Sequence, residues 1–309
     1  MKNVLALVGG TPLIELRDCS PKPGIRMFAK LEGQNPTGSV KDRVVAHMVQ
    51  CARASGVLQP GQEIIEATTG NTGIALAMVG RRLGHPVRLV VPDTVFAGVI
   101  PALRVYGAEV VSVAGDLGIK SAVDAAHEMA DRENAFLLNQ FGSDENPRCH
   151  YETTGPEILT ACPDVDVFVC GLGTGGTITG TGRRLREHNP SVQLVAAEPH
   201  PTNLLPGLRS MADGFVPPIL DLSLLDGKIL VRSGSAFRAV HEVLQREGVL
   251  VGPSSGAVMF AALKWAQRIE RGTMVLMFAD SGWKYLATQP MQMQPSVQDD
   301  EALEDILWW

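Results

Sequence analysis

The chain has few cysteines, no surplus of positive charge and no long apolar run, and each lack excludes something. The five cysteines (Cys19, Cys51, Cys149, Cys162 and Cys170) are an odd number without a C-x-x-C pair. They are expected to be reduced, buried thiols, not a disulfide framework or a zinc site. Lys and Arg number 27 against 33 Asp and Glu, a net charge of −6. A nucleic-acid binder needs cations to displace the counterions of phosphates, so no nucleic-acid partner is expected. A small anionic ligand needs only a local site and is not excluded. No uncharged apolar stretch of ~18 residues occurs, so no membrane span is expected. The run Val4 to Val8 is too short for a signal-peptide core, and a cytoplasmic location follows. H-E-x-x-H, the G-x-S-x-G elbow and the P-loop are all missing. His127-Glu128 and His241-Glu242 each lack a second histidine, so no metal is expected.

What remains is ample core material. Of 309 residues, 45% are hydrophobic and 19% charged, which excludes general disorder and suits two domains. The 32 glycines and 20 prolines follow no Gly-X-Y period and point to a loop-rich site. Strand-length apolar runs at 63–67, 87–92, 108–113, 136–141, 165–170, 193–198, 249–252 and 273–278 lie beside helical patterns, notably 71–83 and 118–133. Alternating strands and helices with continuously apolar strands imply parallel sheets covered on both faces. The stretches 33–38 and 142–148 are the best joints. They mark residues 38–145 as one domain inserted between two parts of another.

Four glycine-containing turns carry the candidate chemistry. Gly171-Leu172-Gly173-Thr174-Gly175-Gly176-Thr177 follows a strand and opens a helix, so its N–H groups form a phosphate site. The Thr174 and Thr177 hydroxyls favour a compact phosphate monoester. Gly171-x-Gly173-x-x-Gly176 also fits the dinucleotide pattern, with Glu198 about twenty residues on. Asn35-Pro36-Thr37-Gly38-Ser39-Val40-Lys41 puts one of only eight lysines at a turn-to-helix transition, with Ser39 as a helix cap. Glu66-Ala67-Thr68-Thr69-Gly70-Asn71-Thr72-Gly73 would hold a carboxylate at a second helix start. Gly252-Pro253-Ser254-Ser255-Gly256-Ala257 starts another helix after a strand.

Together, NPTGSVKDR, EATTGNTG, GLGTGGTITG and GPSSGA resemble the fold-type-II pyridoxal-phosphate enzymes, specifically the cysteine synthase family. YETTGPEI (151–158) and DSGWKYLAT (280–288) extend the likeness over roughly residues 9–288. The resemblance implies an α/β protein like the tryptophan synthase β subunit, with two three-layer domains of mainly parallel sheet. Residues 1–37 plus 146–289 would form the larger cofactor-binding domain. Residues 38–145 would form a smaller mobile one carrying Lys41 and the Asn71 loop, with 290–309 as a C-terminal tail. By the same resemblance, Lys41 would hold pyridoxal 5'-phosphate as a Schiff base and move the substrate Cα proton. Gly173, Thr174, Gly175, Gly176 and Thr177 would grip the phosphate, Asn71 the ring oxygen, and Ser254 would face the pyridine nitrogen. Thr68, Thr69, Gly70, Thr72 and Gln140 would hold the substrate carboxylate. A neutral Ser254 hydroxyl does not force the ring nitrogen to stay protonated, so a Cα carbanion tends to expel a β leaving group.

The activity implied is β-replacement, forming L-cysteine from O-acetylserine or O-phosphoserine through an aminoacrylate intermediate. The sulfur would come from sulfide or a thiocarboxylated carrier protein, and a homodimer is implied. A cystathionine β-synthase-like or 2,3-diaminopropionate synthase-like enzyme, an NAD-dependent oxidoreductase and a non-catalytic relative are the alternatives. The sequence departs from the family at 95–101, VFAGVIP, where the family often has a Glu-Arg-Arg run. Arg209 is similar in placement to an arginine of the B-type and phosphoserine-using cysteine synthases and suits a phosphate leaving group. The tail ends Leu303-Glu304-Asp305-Ile306-Leu307-Trp308-Trp309 with helical spacing of apolar residues. It is expected either to dock on the protein's own surface or at a dimer interface, or to act as a lid over the cleft.

Overall fold

The computed structural model describes residues 3–95, 98–116, 118–201, 203–288 and 291. All of the tail but Met291 lies outside them, as do Phe96 and Ala97 of the altered segment. The strands are β1 (Leu13–Glu15), β2 (Ile25–Leu31), β3 (Ile64–Ala67), β4 (Val87–Pro92), β5 (Glu109–Val113), β6 (Phe136–Leu137), β7 (Val167–Gly171), β8 (Gln193–Pro199), β9 (Gly227–Val231) and β10 (Gly272–Phe278). The helices are α1 (Lys41–Ala54), α2 (Asn71–Leu83), α3 (Val99–Val105), α4 (Ile119–Glu133), α5 (Glu145–Cys149), α6 (Gly155–Ala161), α7 (Gly176–His188), α8 (Ser233–Glu247) and α9 (Pro253–Ala266). No helix among the described residues is long and apolar enough to cross a membrane.

Two sheets form, as the alternation of strands and helices predicts. The larger runs β1-β2-β10-β7-β8-β9 and the smaller β5-β4-β3-β6. Every pairing is parallel except β1 with β2. Side chains alternate faces along each strand, and here both faces are apolar. Val167 and Val169 of β7 join one core layer with α8 and α9, while Phe168 and Cys170 join another with α6 and α7. In the smaller sheet Ile64 packs toward α1 and α2, and its neighbour Ile65 toward α4. Each sheet is therefore the middle of three layers.

Two strand expectations fail, and one helix-cap expectation needs adjustment. The 136–141 run pairs only as Phe136–Leu137, because Asn139 takes φ 58° and turns the chain away. The 249–252 run makes a single bridge, Val251 to Ser281. Only four residues separate Gly248, the left-handed cap of α8, from Pro253, the first residue of α9. Ser39 precedes the helix start by one more residue than expected: Val40 is already helical, and Ser39 Oγ receives Lys41 N–H at a long 3.3 Å. All five cysteines are free; four are buried and Cys51 is half-buried.

The sheet orders dictate where a ligand sits. In the larger sheet the chain moves outward from β7 through β8 to β9, then returns to add β10 on the other side of β7. In the smaller it moves from β3 through β4 to β5, and β6 returns beside β3. Loops leaving the carboxyl ends of strands diverge at such reversals and open a crevice.

Candidate active site

A cavity lies at the first reversal, between the ends of β7 and β10. Cys170, Gly171, Met277 and Ala279 supply its floor, and Lys41, Gly173, Thr174, Gly175, Thr177 and Ser254 its polar wall. The polar residues among them come from three motifs far apart in the sequence. The fold brings them to one place.

Backbone pairing places Lys41. Val40 N–H donates to Ala279 O at 2.8 Å and Ser281 N–H to Gly38 O at 3.3 Å, tying the turn before α1 to the end of β10. Asp42 accepts the Thr37 N–H at 2.6 Å and the Thr37 hydroxyl, closing the turn from the other side. Lys41 Nζ makes no hydrogen bond to a described residue. Burial lowers its pKa, against the attraction of Asp280. Cys170, across the cavity, has its thiol pushed up to about 12 by burial and stays neutral.

The glycine loop is shaped for close approach. Gly175 takes φ 85°, and a Cβ there would lie 2.6 Å from Leu220 Cβ. A Cβ at Gly176 would lie 2.0 Å from Asn146 Oδ1. Side chains are thus excluded where α7 begins, leaving its first N–H groups open to the cavity. Asn146 Nδ2 bonds Thr174 Oγ1 at 3.2 Å and Gln140 O at 2.7 Å. His150, fully buried, lies 3.2 Å from Thr177 Oγ1 and 2.9 Å from Thr154 Oγ1. Burial, with Arg43 and Lys41 nearby, lowers the His150 pKa well below the usual range and keeps the ring neutral.

A family model described as pyridoxal-phosphate dependent enzyme matches residues 4–280. The chain belongs to that family. It is 39% identical to cysteine synthase B of Escherichia coli (strain K12), covering 93% of this chain and 95% of the relative. It is 40% identical to a probable cysteine synthase of Bacillus subtilis (strain 168), covering 93% and 96%. The crystal structure of O-ureido-L-serine synthase matches with a TM-score of 0.89 at 35% identity, over 97% of this chain and 98% of that one. The fold is that of the fold-type-II enzymes.

The residues present fit pyridoxal phosphate. Lys41, whose amine makes no hydrogen bond to a described residue, lines the same cavity as a helix start stripped of side chains, the two anchors that an aldehyde and a phosphate on one small ring require. Ser254, 3% exposed in the first turn of α9, makes no hydrogen bond to a described residue. The dinucleotide alternative fails because Glu198 is already spent. It pairs with Lys228 at 2.7 Å and accepts Ser210 Oγ and Met211 N–H.

The Asn71 loop stands at the second reversal, after β3 and beside the chain leaving β6. Thr68 Oγ1 accepts the N–H groups of Gly70 and Gly73, so this hydroxyl caps α2. Thr72 Oγ1 donates to Gln140 Oε1 at 2.6 Å, and Gln140 Nε2 to Ala67 O at 2.8 Å. Thr69 alone of the loop's three threonines is exposed. Gly70 takes φ 151° with ψ −86°, and a Cβ there would meet Val99 at 3.6 Å. Val99, of the uncharged 95–101 segment, thus lies beside this turn.

Asn71 itself is held by residues to which sequence reading gave no role. Its Nδ2 donates to Asp280 Oδ2 at 2.7 Å, and Lys284 Nζ donates to its Oδ1 at 2.6 Å. Tyr285 hydroxyl donates to the same Asp280 oxygen. DSGWKYLAT stands in the sequence likeness, but only folding reveals that its acid and lysine orient the Asn71 amide.

Glu66, at the end of β3, has its carboxyl pushed up to about 8 by burial, against the N–H bonds it receives from Gln140 and its neighbours. Unfolded, it ionises near 4.5. Between these values the native state holds a proton that the unfolded chain has lost, so burial of Glu66 costs more stability as pH rises to about 8. Glu66→Gln should therefore gain on the wild type with rising pH, by on the order of a few kcal/mol, and level off above that window. Urea denaturation across the pH range checks this; a constant difference would contradict it.

Proposed function

We propose that the protein is a cysteine synthase, replacing the β substituent of O-acetylserine or O-phosphoserine with sulfur. What carries this reading is the meeting of Lys41, the α7 N-terminus and Ser254 around one cavity, with the Asn71 loop at the neighbouring sheet reversal. Pyridoxal phosphate, when bound, supplies an electron sink for the carbanion at the substrate Cα.

The chain's own residues do the rest. Lys41 would hold the cofactor covalently, and its lowered pKa leaves more of the amine free to accept the Cα proton. The N–H groups of Gly173–Thr177 and the Thr174 and Thr177 hydroxyls would take the phosphate, with His150 fixing Thr177 from behind. Ser254 would offer the pyridine nitrogen a neutral hydroxyl, favouring loss of the β leaving group. Asn71 would use its remaining N–H toward the ring oxygen, its amide orientation set by Asp280 and Lys284. Thr69, Gly70 and the open N–H groups of α2 would take the substrate carboxylate, with Thr68, Thr72 and Gln140 shaping that turn. The division into a fixed larger domain and a mobile 38–145 would let this loop close over the substrate. Sulfide or a thiocarboxylated carrier as donor, a homodimer and a cytoplasmic setting complete the reading, on the likeness to cysteine synthases.

Arg209 does not line the cavity, but Gly207 and Leu208 do. Its guanidinium lies 4.8 Å from the Phe215 ring and 5.7 Å from that of Phe141, bonds Asp213, and keeps Nη1 buried without a partner. On the likeness to phosphoserine-using cysteine synthases, Arg209 would read a phosphate leaving group from beside the Gly207–Leu208 wall of the cavity. Mixing the purified enzyme with sulfide and each serine ester, and quantifying cysteine, tests both points. Arg209→Ala should lower phosphoserine turnover about tenfold to a hundredfold, the loss of one charge-assisted contact, and acetylserine turnover far less. No cysteine from either ester would end the cysteine synthase reading. Equal losses would remove Arg209 from substrate choice alone.

A further inference from the structure

The fold gathers three metal-ligating side chains at a point that the histidine spacing gave no reason to expect. His47 and Cys51 lie one turn apart on α1, and Glu145 lies in α5, which packs against α1. Their ligand atoms all fall within 4.8 Å of one another. His47 Nε2 is 2.8 Å from Glu145 Oε2 and 3.6 Å from Cys51 Sγ.

Both partners approach the same ring nitrogen. A neutral Nε2–H donates to the carboxylate, and the Cys51 thiol also reaches Glu145, so all three groups converge on one point. A proton relay is excluded, because it needs the two different nitrogens. One cation would serve all three groups at once. Zinc bonds of about 2.05 Å to nitrogen and about 2.3 Å to sulfur, at a tetrahedral angle, separate those atoms by about 3.6 Å. The nitrogen and oxygen would stand about 3.3 Å apart, so the Glu145 carboxylate needs to withdraw by only about 0.5 Å. Arg148 holds Glu145 Oε1 at 3.2 Å and Glu152 at 2.7 Å, which leaves Oε2 for an ion. The His47 and Glu145 side chains are 17% and 33% exposed, so an ion and a water ligand have access.

We propose that His47, Cys51 and Glu145 bind one zinc-class divalent cation, with water as the fourth ligand. A thiolate and an imidazole select a borderline-soft ion over magnesium or calcium. Binding forms the metal–sulfur bond and releases the Cys51 thiol proton to solvent. The ion would brace α1, which begins at Lys41, against α5, whose Asn146 supports Thr174. It would not enter the cofactor cavity.

The test is an anaerobic titration of the cofactor-loaded full chain with Co2+, read by its ligand-field and thiolate charge-transfer bands, then displacement by Zn2+. One ion per chain with both bands is expected. Cys51→Ser should erase the charge-transfer band, and it and His47→Gln should each weaken Zn2+ binding at least about 100-fold. A dissociation constant above about 1 mM in the wild type would overturn the site. So would bands that persist unchanged in Cys51→Ser.

Discussion

Lys41→Ala should fold normally, lose the covalently held cofactor and lose at least roughly 10²–10⁴-fold of its turnover. The reasoning is geometric. Lys41 is the lysine whose amine lines the cavity, and its Nζ has no structural partner among the described residues to lose. The turn that positions it is held by backbone bonds to Ala279 and Ser281 and by Asp42, none of which uses the Lys41 side chain. Removing the amine thus takes away the proposed nucleophile and base while leaving the turn in place. Borohydride reduction and peptide mapping of the wild type should place the cofactor on residue 41. Label on Lys284, the other lysine near this turn, would reassign the nucleophile.

Arg43→Met should destabilise the protein by about 3–5 kcal/mol, because it strands a buried charge. Glu32 is completely buried, and its two oxygens accept Arg43 Nε at 2.6 Å and Nη2 at 2.9 Å. The same guanidinium donates twice to Glu157 at 2.7 Å, and Lys30 joins Glu157 at 2.6 Å. Burial pushes the Glu157 carboxyl up, but Arg43 and Lys30 outweigh it and hold it at about 2. Glu157 therefore stabilises the fold above its ordinary value of 4.5, and that contribution fades as pH falls through about 2. Denaturant midpoints at neutral pH measure the main effect. Adding Glu32→Gln to Arg43→Met should recover part of the loss, since it removes the stranded charge. A single-variant cost below about 1 kcal/mol would show that water compensates Glu32.

The sequence alone determined the alternation of strands and helices, the limits of α2 at 71 and 83, and the four turns where chemistry could reside. These features are local. Apolar periodicity, glycines that open helix starts and the order of the motifs are written along the chain, and neighbours in sequence suffice to read them. Only the tertiary structure decided what depends on a partner far along the chain. Phe136 begins a strand that ends after one further residue because Asn139 turns Gln140 toward Ala67. β1, β2 and β9 are legible only in the fold, since a strand within a sheet is completed by neighbours from elsewhere in the sequence. His150 beneath Thr177, Lys284 and Asp280 on Asn71, and Glu145 beside His47 join residues 27, 213, 209 and 98 positions apart. Such pairs leave no periodic trace. Their meeting is set by sheet order, which puts β10 beside β7 and β6 beside β3 and so brings distant loops to the same two crevices.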